Sequence, residues 1–280
     1  MPTAMEWKTL TYRTDGAVAV VTANRPHVLN AQSRLMIEEV TAAFDEAADD
    51  AATRVIIVAA AGPHFSAGHD LGSEEEVADR RARGFPRDLP EAYERAYHLY
   101  LDATIRWRDV PKPTIAQVHG YCIMSGLMLA SACDLIVASD DARFADRSVR
   151  WGGAHVQYAN LPWDVGGRKA KEFLFTGDWI SADEAHRLGL VNCVVPRQRL
   201  EEETMALAQR IALQDPFALR MAKLSVNQAL DLMGQRSGLI AAFQTYMLAA
   251  ASRESPERRV EGVDYRERIQ RRDEPFGDHR

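Results

Sequence analysis

HGYCIMSGLMLASACDLIVASD, His119 to Asp140, holds in one run a strand end, a sharp turn, a helix of small residues and a second strand. The strand begins upstream at Lys112 in KPTIAQVHGYC. Gly126 to Cys133 is apolar on every side, as a helix enclosed by other elements must be. DLIVASD, Asp134 to Asp140, is a short apolar run of strand length. A strand, a buried helix and another strand in close order make a crossover unit, and hence a layered α/β core.

The same rhythm continues outward. Gly16–Pro26 reads as a strand closed by proline. Asn30–Asp50 is an amphipathic helix, with Leu35, Met36, Val40, Ala43, Phe44 and Ala47 at helical spacing. Arg54–Gly62 is a buried strand ended by glycine. Ser73–Leu89 is charged and contains Gly84 and Pro86, so a surface loop or irregular helix is expected. Helical character returns over Glu91–Trp107. Ser181 and Glu184 have the spacing of a capping box, and Gly189 suits the end of the helix it opens. VNCVV after it is a strand. From Leu200 the pattern is helical throughout: Leu200–Gln214, Pro216–Met233 and Gly238–Ala251. Two regions are expected, an α/β core over 1–200 and a helical region over 201–280. The tail from Ser252 is too polar to form a core. No sequence repeat is visible.

The chain has 280 residues, of which 46% are hydrophobic and 26% charged, the balance of a globular protein with a substantial core. A formal net charge of -6 argues against a nucleic-acid-binding surface. No apolar run has the length to cross a bilayer, and MPTAMEWKTL lacks the basic-then-apolar pattern of a signal peptide. Cys122, Cys133 and Cys193 form no close pair and no metal-ligand spacing, so three buried thiols in the cytoplasm are expected, with no metal.

Nucleotide and nucleophile-elbow signatures are missing. Two glycine-bearing turns stand out instead: FSAGHDL, Phe65–Leu71, after one strand, and the turn at Met124-Ser125-Gly126 that opens the small-residue helix. Glycine lets a ligand approach the main chain closely. The second turn is a helix N-terminus, where free amides favour negative charge. Two such amides converging on one point would form an oxyanion hole.

Taken together, these turns resemble the crotonase (enoyl-CoA hydratase/isomerase) superfamily. NRPHVLNAQS (Asn24–Ser33) is similar to its NRP segment, FSAGHDL to its AGxDL loop, and KPTIAQVHGYC through ACDLIVASDDARFA to its central block. FLFTGDWISADEAHRLGLVNCVV is similar to its later G-x-x-x-A-x-EA block. The resemblance implies a (ββα)-repeat spiral core with a helical C-terminal region used in oligomerisation, as a homotrimer or a dimer of trimers. It implies an acyl-CoA thioester as substrate, with coenzyme A entering as part of it and no other cofactor. By motif position the amides of His69 and Ser125 would hold the thioester oxygen, and Val28, Ala67, Gly68, Asp70 and Leu71 would line the adenine end.

Hydratases of this superfamily use two glutamates. Their positions here are Met128 and Ser148, and neither side chain titrates near neutrality. Ordinary hydration is therefore not expected. Isomerisation, decarboxylation or hydrolysis remain, as does a catalytically silent acyl-CoA-binding paralogue. Asp146, two residues before Ser148, and His155 are the candidate acid/base groups, with a capping aspartate and a loop histidine as the structural alternatives. Tyr158 follows His155. Glu74, Glu75 and Glu76 read as a solvated run, and Trp151 and Trp163 as walls of an acyl pocket or as core.

Overall fold

The computed structural model describes residues 6–253, so the polar tail beyond Arg253 lies outside the described residues. The chain enters through a hairpin that the sequence reading missed: β1 (Leu10–Asp15) runs antiparallel to β2 (Val18–Ala23). Gly16 turns between them at φ 56°. β1 is exposed along most of its length, so it carries little hydrophobic signal. Then come α1 (Arg34–Asp49), β3 (Val55–Ala60), α2 (Glu74–Arg83), α3 (Leu89–Ala96) and α4 (Ala103–Asp109), the last two joined by a π-helical turn, Tyr97–Asp102. Next are β4 (Thr114–Val118), β5 (Tyr121–Ile123), α5 (Ser125–Ala132), β6 (Leu135–Ser139) and β7 (Arg143–Ala145). α6 (Leu161–Asp164), α7 (Gly167–Thr176), β8 (Ile180–Ser181), α8 (Ala182–Leu188) and β9 (Cys193–Val195) precede α9 (Leu200–Ala212), α10 (Pro216–Leu232) and α11 (Gln235–Arg253).

The main sheet has the order β1-β2-β3-β4-β6-β9, parallel from β2 onward. A second row runs beside it in the same order: Gln32 bridges His69, Ser66 bridges Cys122, β5 pairs β7, and β7 pairs β8. Each turn of the chain thus gives a strand to the main sheet, a short segment to the second row, and then a helix. This is the (ββα) spiral, repeated in space without a repeat in sequence. The second row consists of two- and three-residue strands and single bridges, too short for a period to show. Gly120 makes one of the switches between rows. It sits at φ 53°, and a side chain there would collide with the Pro63 carbonyl oxygen.

Both faces of the main sheet are covered. α1 buries Met36, Ile37, Val40, Ala43, Phe44 and Ala47 on one side. Leu200 and Ala208 of α9 cover Val18, Val20, Val55 and Ile57 on the other. The first helix after residue 200 therefore completes the sheet's own packing. The Ser181 cap is confirmed, its hydroxyl accepting from Glu184 N, and Gly189 ends α8 in the left-handed conformation.

Two expectations are corrected. Ser73–Leu89 contains a regular helix, α2, capped by the Ser73 hydroxyl. Its Glu76 is buried, accepting from Arg34 N and Arg80 Nε, because it closes a local charge network rather than facing water. Of the three cysteines Cys122 is buried and Cys133 half-buried, but Cys193 is exposed, since it starts the strand at the sheet edge.

Candidate active site

The first turn is held from the N-terminal side. Asn30 is fully buried with φ 52°, and its side chain accepts from Arg25 N while donating to the carbonyls of Ala61 and His64. Ser66 Oγ donates to Asn30 O at 2.8 Å, and Ala67 N donates to Leu29 O at 3.0 Å. Beyond them Gln32 N donates to Gly68 O and Asp70 N donates to Gln32 O. In a parallel bridge of this kind the flanking groups face the partner, so the amide of the middle residue, His69, faces away from it.

Asp70 locks the turn. Its carboxylate accepts from Arg25 Nη1 at 2.8 Å, from Ser73 Oγ at 2.6 Å, and from the amides of Ser73 and Gly72. Burial works to raise its pKa, but hydrogen bonds from Ser73 and Arg25 win and hold it below the usual carboxylate range. Leu71 is 62% exposed, Val28 and Ala67 are half-buried, and Gly68 is buried.

The second turn carries strain. Met124 has φ 51° and ψ -115°, a conformation that normally selects glycine, and its amide donates to Ala145 O at 2.9 Å. Ser125, fully buried, is the first residue of α5, so its amide has no acceptor within the helix. The two turns pack on each other. A Cβ on Gly68 would lie 3.0 Å from Met124 Cβ, and one on Gly126 would lie 2.8 Å from Ser66 Cβ. Both glycines are therefore required where the turns meet.

The His69 imidazole does not face solvent. Its Nε2 lies 2.9 Å from Gln157 Oε1, and the ring meets Tyr100 edge-on at 4.7 Å. Burial pushes its pKa down to about 4, so the ring is neutral at neutral pH. Gln157 Nε2 donates to Tyr246 Oη at 3.0 Å, which ties α11 to the first turn. Gln157, Tyr246 and Tyr100 were missed in the sequence. A glutamine inside an apolar stretch was the available signal for the first. Nothing local marked Tyr246, which lies 89 residues from Gln157 along the chain.

Asp146 and His155 both line a cavity of about 210 Å3, to which Leu127 and Ser131 of α5 also contribute. Asp146 is buried and accepts from the amides of Ser148 and Val156. Burial raises its pKa against those two hydrogen bonds. His155 Nδ1 lies 2.7 Å from Val156 O and Nε2 lies 3.0 Å from Thr245 Oγ1. Met128 is sealed among Leu101, Val156, Tyr158, Leu239, Phe243 and Met247, and Ser148 is buried. Trp163 lines the same cavity as Asp146. Among the described residues no cluster of His, Cys, Asp or Glu is placed to hold a metal, and no helix is long and apolar enough to cross a membrane.

A ββα spiral with two abutting glycine turns at its second row is the crotonase fold. Comparison with known proteins gives the same class. The sequence profile of the Enoyl-CoA hydratase/isomerase family matches residues 13–270. The chain is 45% identical over 257 residues to a putative enoyl-CoA hydratase, EchA13, of Mycobacterium tuberculosis, covering 87% of this chain and 81% of the relative. It is 42% identical to the crystal structure of a probable enoyl-CoA hydratase from Mycobacterium smegmatis, with a TM-score of 0.83 over 89% of this chain and 96% of that one. A probable enoyl-CoA hydratase from Mycobacterium thermoresistibile is also 42% identical, with a TM-score of 0.81 over 87% and 97% of the two chains. The chain belongs to the enoyl-CoA hydratase/isomerase family, within the crotonase superfamily, and is an enzyme of that family.

Proposed function

We propose that the protein binds an acyl-CoA thioester, polarises its carbonyl with the main-chain amides of His69 and Ser125, and stabilises the resulting enolate. The observation that carries this reading is the packing of Ser66–His69 against Met124–Gly126, with one amide turned away from its pairing partner and the other at a helix start. Donors fixed in advance act on charge that exists only during reaction. Coenzyme A enters with the substrate. Val28, Ala67, Gly68 and Leu71 offer it an edge, while the Asp70 carboxylate, already fully engaged, shapes that edge from behind.

With Met128 and Ser148 at the glutamate positions, the reaction is isomerisation, decarboxylation or hydrolysis rather than ordinary hydration. Asp146 and His155 stand as its acid/base candidates. A second reading has its own support. Met128 lies inside an apolar cluster, as suits a silent acyl-CoA-binding paralogue. Incubation with crotonyl-CoA, a branched enoyl-CoA and a malonyl-type CoA, followed by mass spectrometry, separates the two. Product from any thioester supports the enzyme, tight binding without turnover supports the silent reading, and no binding sinks both.

The assembly is proposed to be a homotrimer or a dimer of trimers, working in the cytoplasm on lipid-derived thioesters. α10 buries no residue within its own chain and exposes Phe217 and Leu224, seven residues apart on one face, with Val226 exposed on the opposite side, apolar surface suited to a neighbouring copy. Sedimentation as a stable monomer would contradict this.

A further inference from the structure

A larger cleft lies between α1 and the stretch that runs from the end of α2 through α3 into α4. No residue of Phe65–Leu71 or Met124–Gly126 lines it. Its volume is about 640 Å3, within the range of small-molecule sites. The floor is apolar. Ile37 and Ala42 come from α1, Leu99 from the π-helical turn and Ala103 from α4. Ile37 and Ala103 are buried, while Ala42 and Leu99 are half-buried and leave apolar surface for a ligand to cover.

Charged side chains also line the cleft: Arg34, Arg83, Arg95 and Arg106 against Glu38 and Asp45. Both carboxylates are already paired. Arg83 donates to the two oxygens of Glu38, and Arg106 Nη2 donates to Asp45 Oδ2 at 2.8 Å. Arg95 is engaged with Glu91 and with the Gly84 carbonyl. Arg34 differs. The carboxylate within 4 Å of it, Glu76, stands 3.7 Å from Nε, beyond hydrogen-bond range, and accepts from Arg80 Nε at 2.7 Å instead. No side-chain nitrogen of Arg34 makes a hydrogen bond among the described residues, and of the three only Nε is closed off from solvent. Nη1 and Nη2 therefore stay open, on a side chain 19% exposed at the edge of an apolar floor. Two open N–H groups on one planar fork match the two oxygens of a carboxylate. One open cation balances one negative charge, and the Glu38 and Asp45 carboxylates disfavour a second, so a carboxylate is preferred to a phosphate.

We propose that this cleft binds a small amphiphilic monocarboxylate, with its apolar body on the floor between α1 and α4 and its carboxylate on the Arg34 guanidinium. The site is separate from the one proposed for the thioester and does not depend on it.

The test is calorimetric binding of octanoate, octanol and inorganic phosphate to the full chain. The wild type is expected to bind octanoate about tenfold more tightly than octanol, the effect of one charge-assisted contact, and phosphate more weakly than octanoate. Arg34→Met keeps an apolar stem and removes the fork, so octanoate should fall to the level of octanol. Arg34 opens α1, where the helix dipole disfavours a cation, so this variant is expected to fold. Ala42→Leu fills part of the floor and should weaken octanoate and octanol alike. In the wild type, absence of octanoate binding, equal affinity for octanoate and octanol, or phosphate bound as tightly as octanoate overturns the proposal. An undiminished preference in Arg34→Met overturns it too. If Arg34→Met does not fold, Ala42→Leu decides: octanoate bound as tightly as by the wild type overturns it.

Discussion

His69 Nε2 sits 2.9 Å from Gln157 Oε1, and burial holds the ring neutral. His119 is in the same state, buried with Nε2 3.1 Å from Gly62 O and a pKa also pushed down to about 4 by burial, with Arg197 adding to it. Both imidazoles are harder to protonate in the folded chain than in the unfolded one. Below the unfolded value of about 6.5 the unfolded state binds more protons, so stability falls as pH drops toward 4. Between pH 7 and pH 5 each imidazole should cost about 2 kcal/mol. Urea titrations at the two pH values check this. His119→Gln should shrink the difference by about half of the combined effect, and an unchanged pH dependence would count against the buried neutral state.

Gly68 and Met124 provide a test of how closely the turns abut. Gly68→Ala adds a Cβ 3.0 Å from Met124 Cβ, at a glycine with φ 97°. The expected loss is about 1–3 kcal/mol from strain and overlap together. Met124→Gly removes the overlapping atom and relieves its own backbone strain. In a double-mutant cycle the Gly68→Ala cost should therefore be smaller in the Met124→Gly background. Strict additivity would show that the turns do not press on each other.

The Arg25–Asp70 pair is 4% and 3% exposed at the side chains. Removing the cation leaves a buried carboxylate with only neutral donors. Arg25→Met should destabilise the fold by about 3–5 kcal/mol and loosen the loop that carries His69. The check is a denaturant midpoint together with proteolysis at Leu71, which is already exposed. A midpoint near the wild-type value would mean that the Ser73 and Gly72 donors suffice.

The main elements were legible because long apolar patterns carry them: α1, β3 and α9 announce their buried faces in sequence, and the Ser181–Glu184 spacing gives the start of α8. The second row was not legible from periodicity. Gln32, Ser66 and His69 pair through single bridges, which have no pattern to read. The glycine turns were visible, but the strain at Met124 was not, since a methionine gives no warning of a positive φ. Gln157 and Tyr246 join His69 only through the packing of α11, a relation of distant segments that no local window contains.

Replacing the Ser125 amide by an ester, through incorporation of the hydroxy-acid analogue of serine, removes one N–H and little else. Because Ser125 is the first residue of α5, no intrahelical hydrogen bond is lost. Under the proposed chemistry turnover should fall by about 100- to 1,000-fold, with a much smaller change in the affinity for a saturated acyl-CoA. Equal losses in both measurements would assign the amide to ground-state binding. Unchanged turnover would remove it from the reaction.

Met128→Glu asks whether hydration was lost by a single substitution. The new carboxylate would enter a cluster of Leu101, Val156, Tyr158 and Phe243, with no cation among them. Burying an unpaired carboxyl there raises its pKa and costs stability, by about 3 kcal/mol or more. The expected outcome is a lowered melting temperature and no gain of crotonyl-CoA hydration, even when Ser148→Glu is added. The surroundings of residue 128 have closed around an apolar side chain, so restoring the acid does not restore the water that it would activate. A stable double variant that hydrates crotonyl-CoA would show that the apolar cluster still opens to solvent, and would return this chain to ordinary hydratase chemistry at the cost of two residues.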